Sequence, residues 1–236
     1  MKLYSAPLSM FGAKVEIALR EKGLAFDLEM VPFDRDDRYL PKHPEVLRVN
    51  PKGQVPVLVD GDTQGESVEL FDSTQIFEYL EDVAPQPPLW PQGAAARAVA
   101  RQMEHLSDEV FFPHVIRLFG LQDQMHSEAA HAACAGCAAF YDRLEGVLSG
   151  SDHLAGGAYS FADIAFYMAQ VFAERKGALL TDRTPRLMGW RERIGRRAAV
   201  RAVVAPMMAF LASHGRGVPA HLQPLLEDSG PAAREA

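Results

Sequence analysis

The sequence predicts two structural units of different class, an α+β unit in the first third of the chain and an all-helical unit after it. Three observations support this division. Short apolar runs alternate with helical patterns over residues 1–82, four prolines fall within residues 85–91, and only helical periodicity follows. The length of 236 residues also agrees with two units, because one domain usually has roughly 100–150 residues.

The first third is predicted to have the order β-α-β-α-β-β-α. The first helix is indicated by apolar residues at helical spacing that end at Gly23, and the second strand by apolar residues that alternate with Asp27 and Glu29. The third strand runs into a turn at Asp60-Gly61, which predicts a hairpin. The strands are predicted at residues 3–5, 26–31, 55–59 and 68–71, and the helices at 11–22, 44–49 and from 72 or 73 to at least 80. Residues 32–44 are predicted to be a loop.

The proline run marks a linker, since it cannot continue a helix or a central strand. Beyond it, helices are predicted at residues 97–119 with a kink at Pro113, and at 128–148, 160–173, 185–196 and 200–212. The predicted domains are therefore an α+β domain over 1–82, a linker over 83–95, a helical domain over 96–215 and a tail over 216–236.

Composition excludes several classes of function. The net charge of −7 argues against a general nucleic-acid binder and against an anchor to anionic membranes, both of which need a basic surface. The acidity lies in the first 82 residues, which hold 16 acidic and 9 basic side chains. Two cysteines are too few for a disulfide framework. The absence of a secretion signal and of a run of about 20 apolar residues predicts a cytoplasmic protein.

Several short motifs, in this order and spacing, resemble the cytosolic glutathione transferase family from Leu3 to about Ala212. They are SMFGAKV at residues 9–15, NPKGQVPVL at 50–58 and LFDS at 70–73, followed by Ile76 and YLE at 79–81. The resemblance implies a thioredoxin-like glutathione-binding domain joined to a helical bundle that lines the electrophile site. It also implies glutathione as cosubstrate, no metal, a hydrophobic electrophile, a role in detoxification and a homodimer.

Ser9 is the predicted catalytic residue, because the serine-type members of the family place their hydroxyl just before the first helix. The nucleophile is the glutathione thiolate, and a free thiol has a pKa of about 8.5. A hydrogen bond from the hydroxyl and the dipole of the first helix would both lower that pKa. From the residues alone, Ser9 could instead only cap the helix. Tyr4 and Ser5 are weaker alternatives, and the lack of cysteine at position 9 argues against mixed-disulfide chemistry.

Two further segments are predicted to bind glutathione. The resemblance implies that Pro56 follows a cis peptide bond, that the backbone of Val55 pairs with the cysteinyl unit and that Gln54 offers its amide to the peptide. It also implies that Asp72 and Ser73 hold the γ-glutamyl end. There, the helix N-terminus and the Ser73 hydroxyl suit its carboxylate and Asp72 suits its ammonium group.

The remaining site predictions concern the glycine carboxylate and the electrophile. The carboxylate needs a cation or donor, and three alternatives stay open: Lys42, His43 and Lys52. Four residues are predicted to line the electrophile pocket, although aromatic residues at helical spacing are also typical of a core: Phe11, Phe112, His114 and Arg117.

Two features are predicted to be structural only. Cys134 and Cys137 lie within one helix without a second pair, so we expect buried small residues rather than a redox or zinc site. Ser160 and Asp163 have the spacing of a capping box at the start of a helix.

Three functions follow from the resemblance. The first is a transferase that conjugates glutathione to a hydrophobic electrophile. The second is a glutathione-dependent isomerase or an ether- or halide-cleaving relative with the same thiol site. The third is a non-catalytic interaction module, which ranks last because Ser9, Val55-Pro56 and Asp72-Ser73 are all present.

Overall fold

The computed structural model describes residues 1–33, 39–40, 42–61 and 67–228, and it confirms an α+β unit and a helical unit. The chain divides into two compact units by its internal contacts. One consists of residues 1–87 with the segment that begins at residue 198, and the other of residues 88–197. The last long helix, which the sequence assigned to the helical domain, thus groups with the α+β unit.

The first unit has the predicted order of strands and helices. Its elements are β1 (Lys2–Ser5), α1 (Met10–Glu21), β2 (Asp27–Met30), α2 (Pro44–Val49), β3 (Val57–Gly61), β4 (Ser67–Phe71) and α3 (Ser73–Val83). β3 begins two residues later than predicted, after Pro56, which has no N–H to donate to a ladder. Parts of the predicted loop and hairpin turn, at residues 34–38, 41 and 62–66, lie outside the described residues.

The sheet brings three chain segments to one end. Its strand order is β2-β1-β3-β4, with β1 parallel to β2 and β3 antiparallel to both neighbours. Tyr4 pairs with Val57, which pairs with Phe71. The residues just after β1, just before β3 and just after β4 therefore lie at the same end of the sheet, although they are far apart in sequence.

The helical unit contains α4 (Ala94–Leu106), α5 (Phe112–Gly120), α6 (Glu128–Val147), α7 (Phe161–Arg175) and α8 (Pro185–Gly195). The predicted helix 97–119 is split by a π-helical turn over Ser107–Phe111. The split lies just before Pro113, which lacks the N–H needed to continue the regular ladder. α7 is the central helix, and every residue from Phe161 to Ala173 is buried.

The C-terminal segment folds onto the first unit. α9 (Ala198–Ser213) packs against α1, and α10 (Pro224–Asp228) packs against α9. Phe33 contacts the ring of Phe210 on α9 and the ring of His214, which directly follows α9. The predicted tail therefore contains a helix, which was missed because five residues are too few to show a periodic pattern. In the described part of the chain, no helix has the length and apolar character needed to cross a membrane.

Candidate functional site

Ser9 combines a capping role with an uncommitted hydroxyl hydrogen. It is the N-cap of α1, and its Oγ accepts a hydrogen bond of 3.0 Å from the backbone N–H of Gly12. The residue is half-buried, and its hydroxyl has no acceptor among the residues that the structure describes. The capping alternative and the catalytic prediction are thus compatible, because one uses the oxygen lone pair and the other the hydrogen.

Gly12 allows α1 to begin close to the end of β1. A Cβ atom at this position would lie 2.2 Å from Ser5 Oγ and 3.2 Å from Ser9 Oγ. Any side chain would therefore displace the turn that holds Ser9. Sequence reasoning did not single out Gly12, since a glycine inside a helical pattern indicates a close approach only once its neighbour is known.

Val55 presents free backbone groups at the same end of the sheet. The Val55–Pro56 peptide bond is cis. Neither the N–H nor the C=O of Val55 has a hydrogen-bond partner within the described ranges, and the Gln54 side chain is exposed. Asn50, which was not predicted, shapes this loop: its Nδ2 donates to the Gln54 carbonyl at 2.6 Å. Its signal in the sequence is the Asn-Pro-Lys-Gly turn.

Asp72 and Ser73 form the third segment, at the start of α3. Asp72 Oδ1 accepts hydrogen bonds from the backbone N–H groups of Thr74 and Gln75, at 3.1 and 3.3 Å. Its second carboxylate oxygen and the hydroxyl of the buried Ser73 have no partner in the part of the chain that is described. Asp72 has φ of 75°, a conformation that non-glycine residues rarely adopt and that clusters at functional sites.

The three candidates for the glycine carboxylate differ in their surroundings. His43 Nε2 lies 2.9 Å from Glu29 Oε1, and its Nδ1 accepts from the backbone N–H of Glu45. Both ring nitrogens are thus engaged within the fold. Lys42 and Lys52 have no ion-pair partner among the described residues, which makes their ammonium groups the better candidates.

The residues predicted for the electrophile lie in both units, and their common role stays a sequence prediction. Phe11 in the first unit is half-buried. In the helical unit, Phe112 is buried with its ring 6.2 Å from that of Phe172, and Arg117 is exposed. His114 is half-buried and packs closely over Gly136 of α6.

The two cysteines differ in burial. Cys137 is fully buried on α6, and burial raises the pKa of its thiol to about 12, so it is not a thiolate nucleophile. Cys134 is only half-buried, contrary to the prediction that both are buried, because it lies at the edge of the packed face of α6. Within the described ranges, no group of three or more His, Cys, Asp and Glu side chains is placed to hold a metal ion.

Two family models match most of the chain. Residues 3–88 match the model of the glutathione S-transferase N-terminal domain, and residues 103–198 match that of its C-terminal domain.

Individual relatives match to different extents. Glutathione S-transferase 3 of Zea mays is 31% identical over 87% of this chain and 93% of its own. FtsZ-localized protein A of Caulobacter vibrioides is 31% identical over 69% and 72% of the two chains. The chain spans about half the length of other relatives it matches, such as glutathione S-transferase 1 of Dianthus caryophyllus, which is 40% identical over 45% of this chain and 44% of its own.

Solved structures share the fold over nearly the whole chain. A glutathione S-transferase from Rhodospirillum rubrum is 25% identical, with a TM-score of 0.77 over 95% of this chain and 98% of its own. A sphingomonad glutathione S-transferase in complex with glutathione is 28% identical, with a TM-score of 0.71 over 88% and 98%.

Proposed function

Because the chain belongs to the cytosolic glutathione transferase family, we propose that it is a serine-type glutathione transferase. In this proposal it binds glutathione, stabilises the thiolate with the Ser9 hydroxyl and directs it at a hydrophobic electrophile. The observation that carries the proposal is the Ser9 hydroxyl, which lies at the N-terminus of α1 with its hydrogen uncommitted among the described residues.

The thiolate is favoured by two physical effects at this position. A hydrogen bond to a charged group contributes about 1.5–3 kcal/mol. A charge at a helix N-terminus gains about 0.3–1 kcal/mol, and up to about 2 kcal/mol where it is partly buried. Together they lower the thiol pKa by about 1.3 to 3.7 units from about 8.5, because one unit corresponds to about 1.36 kcal/mol. The pKa is then about 5–7, so a large fraction of the bound glutathione is thiolate at neutral pH without a general base.

Glutathione would lie across the end of the sheet where the three segments meet. The free N–H and C=O of Val55 pair with the cysteinyl unit in the manner of an added strand. The N-terminus of α3 and the Ser73 hydroxyl receive the γ-glutamyl carboxylate, and the open oxygen of Asp72 receives the ammonium group. Lys42 or Lys52 receives the glycine carboxylate. The backbone groups of Val55, the Ser73 hydroxyl, the second oxygen of Asp72 and the two lysines have no other partner in the described structure, whereas the N–H groups of Thr74 and Gln75 are bonded to Asp72 Oδ1.

The remaining parts of the proposal come from the family alone. We place the protein in the cytoplasm as a homodimer with a role in detoxification. A glutathione-dependent isomerase or an ether- or halide-cleaving enzyme would use the same thiol site, and the choice depends on the electrophile.

A second candidate function is a non-catalytic interaction protein. It is favoured by the likeness to FtsZ-localized protein A and by the stringent starvation protein A homolog of Coxiella burnetii, 34% identical over 48% of each chain. Their names do not describe transferases. On this alternative, the open groups at Ser9, Val55 and Ser73 would have no ligand to bind.

A glutathione titration distinguishes the proposed transferase from the non-catalytic interaction protein. The full chain is titrated with glutathione by calorimetry, and the thiolate of the bound tripeptide is followed by ultraviolet absorbance as the pH is raised. We expect binding and an apparent thiol pKa at least one unit below that of free glutathione. Absence of binding would favour the interaction protein, whereas binding with an unshifted pKa would contradict the proposed role of Ser9.

A further inference from the structure

The first unit contains a cavity that the glutathione proposal does not use. Its volume is about 270 Å³, and it is lined by α1, β2, the end of β1 and α9 and open to solvent on one side. Neither Ser9, Val55 nor Ser73 lines it. The cavity exists only because α9 belongs to this unit, and Phe210 of α9, which lines it, is held in place by ring contacts with Phe33 and His214.

Most of the wall is apolar. β2 contributes Leu28 and Met30, and α9 contributes Val203, Met207 and Phe210. Leu28 and Met30 are 36% and 42% exposed, so their side chains are open to contact with a ligand. An apolar wall of this kind binds aromatic or aliphatic groups through the area removed from water.

The wall also contains three polar residues, Ser5, Glu16 and Arg20. Glu16 lines the cavity and is only 3% exposed. Its Oε1 accepts two hydrogen bonds from Arg20, at 3.0 and 2.7 Å. The second oxygen, Oε2, has no hydrogen-bond partner among the described residues, and it is not one of their fully buried polar atoms. Because Glu16 lines the cavity, a ligand there can reach this oxygen and donate a hydrogen bond to it.

The pKa of Glu16 reflects its burial beside one basic side chain. Burial raises the pKa of Glu16 above its ordinary value, and the hydrogen bond from Arg20 opposes this effect only in part. The carboxylate is thus less well stabilised in the fold than in water. Burial destabilises the charged form of Glu16, and a second positively charged partner would stabilise that form again.

We propose that this cavity is a binding site for a small aromatic amine, with its rings against Met30 and Met207 and its ammonium group on Glu16 Oε2. The size suits two fused rings, because a cavity of about 150 Å³ holds one benzene ring. A cation fits better than a neutral donor, since charge-assisted hydrogen bonds are about twice as strong as neutral ones. The excess of acidic residues in this unit also favours a cation.

The test compares two probes of the same shape. Binding of 1-naphthylmethylamine and of 1-naphthalenemethanol to the full chain is measured by calorimetry at pH 7. We expect a dissociation constant below about 1 mM for the amine, a modest affinity for a ligand of this size. We expect at least about tenfold weaker binding of the alcohol, which has no charge. Equal affinity for the two probes, or no binding of the amine, would overturn the proposal.

Three variants locate the site. Glu16→Gln should weaken binding of the amine at least tenfold and leave binding of the alcohol nearly unchanged. Ala202→Trp, at an exposed position on the rim of the cavity, should abolish binding of both probes. Ala132→Trp, at an exposed position on α6, is the matched control and should bind as the wild type does. Unchanged binding of the amine to Ala202→Trp would overturn the proposal even if Glu16→Gln did not fold.

A competition experiment separates this site from the glutathione site. With saturating glutathione, the affinity for the amine should stay within about twofold of its value without glutathione. The reason is that the cavity and the proposed glutathione site are lined by different groups. Displacement of the amine by glutathione would show that the amine occupies the glutathione site, and would contradict the proposal. Failure of glutathione to bind at all would leave the amine measurement intact, so the two proposals fail independently.

Discussion

The indole N–H of Trp190 donates a hydrogen bond of 2.8 Å to Asp163 Oδ1 in the core of the helical unit. The same oxygen accepts from the backbone N–H of Leu154, and Oδ2 accepts from the backbone N–H and the hydroxyl of Ser160. Asp163 is fully buried. One carboxylate therefore completes the predicted capping box of α7 and also ties α8 and the preceding loop to it.

Replacing this carboxylate with an amide should destabilise the helical unit. Asp163→Asn keeps one acceptor oxygen for four donors, so at least one buried N–H loses its partner, and we expect a loss of about 3 kcal/mol in the free energy of unfolding. Both tryptophans, Trp90 and Trp190, lie in this unit, so urea unfolding followed by tryptophan emission reports on it. The control Asp152→Asn removes a carboxylate that is 86% exposed and should change stability by less than about 0.5 kcal/mol.

Substitutions at Ser9 should separate capping from catalysis. Ser9→Ala removes the cap of α1 and should lower the free energy of unfolding by about 1 kcal/mol. Ser9→Gly should lower it by only a few tenths of a kcal/mol. Both lose the hydroxyl, so both should raise the pKa of bound glutathione by about one to two units. Ser127→Ala, which removes the cap of α6, is the matched control for stability and should not change that pKa. A normal thiolate pKa in Ser9→Gly would show that another group donates.

Asp72→Asn should lower glutathione affinity without loss of stability. Asparagine caps helices as well as aspartate does and tolerates positive φ, so we expect a change in the free energy of unfolding below about 0.5 kcal/mol. The substitution removes the negative charge that pairs with the ammonium group of glutathione. Binding should therefore weaken about two- to tenfold. Asp82→Asn, at the exposed far end of α3, is the control and should bind normally. Equal affinity of Asp72→Asn and wild type would remove Asp72 from the site.

The lysine that binds the glycine carboxylate can be identified with an esterified ligand. The wild type should bind the glycyl ethyl ester of glutathione up to about fivefold more weakly than glutathione, as expected for an exposed ion pair. That preference should disappear in either Lys42→Gln or Lys52→Gln. His43→Gln should keep it, since the His43 ring is engaged with Glu29 and Glu45. If both lysine variants still prefer glutathione to its ester, neither Lys42 nor Lys52 binds the glycine carboxylate.

Glu16 should make stability depend on pH in a defined direction. Burial raises the pKa of Glu16 in the folded state above its value in the unfolded chain. The folded state therefore binds a proton more readily, and this group contributes stability at low pH that is lost as the pH rises through the raised pKa. The free energy of unfolding of the wild type minus that of Glu16→Gln should thus increase as the pH is lowered from 7 to 5. A decrease over this range would contradict the raised pKa.

Local patterns predicted most elements, although not the split of the helix 97–119 or the short α10. The helix start at Ser9 and the capping box at Ser160 depend on residues within one turn of each other, whereas the exposure of Leu28 and Met30 on β2 does not follow from its alternation. The sequence also identified the three segments of the candidate site, because each is a short motif. Their meeting at one end of the sheet followed once the strand order β2-β1-β3-β4 was known.

The sequence by itself determined the order of elements, the caps and the class of each unit, since these depend on interactions between near neighbours in the chain. Only the tertiary structure decided that α9 groups with the first unit, that Glu29 engages His43 and that Glu16 lines a cavity. These features join residues that are distant in sequence, and such contacts are selected by packing of whole elements rather than by periodicity. The place of the buried Glu16 in a cavity wall is therefore defined only when its neighbours from α9 are known.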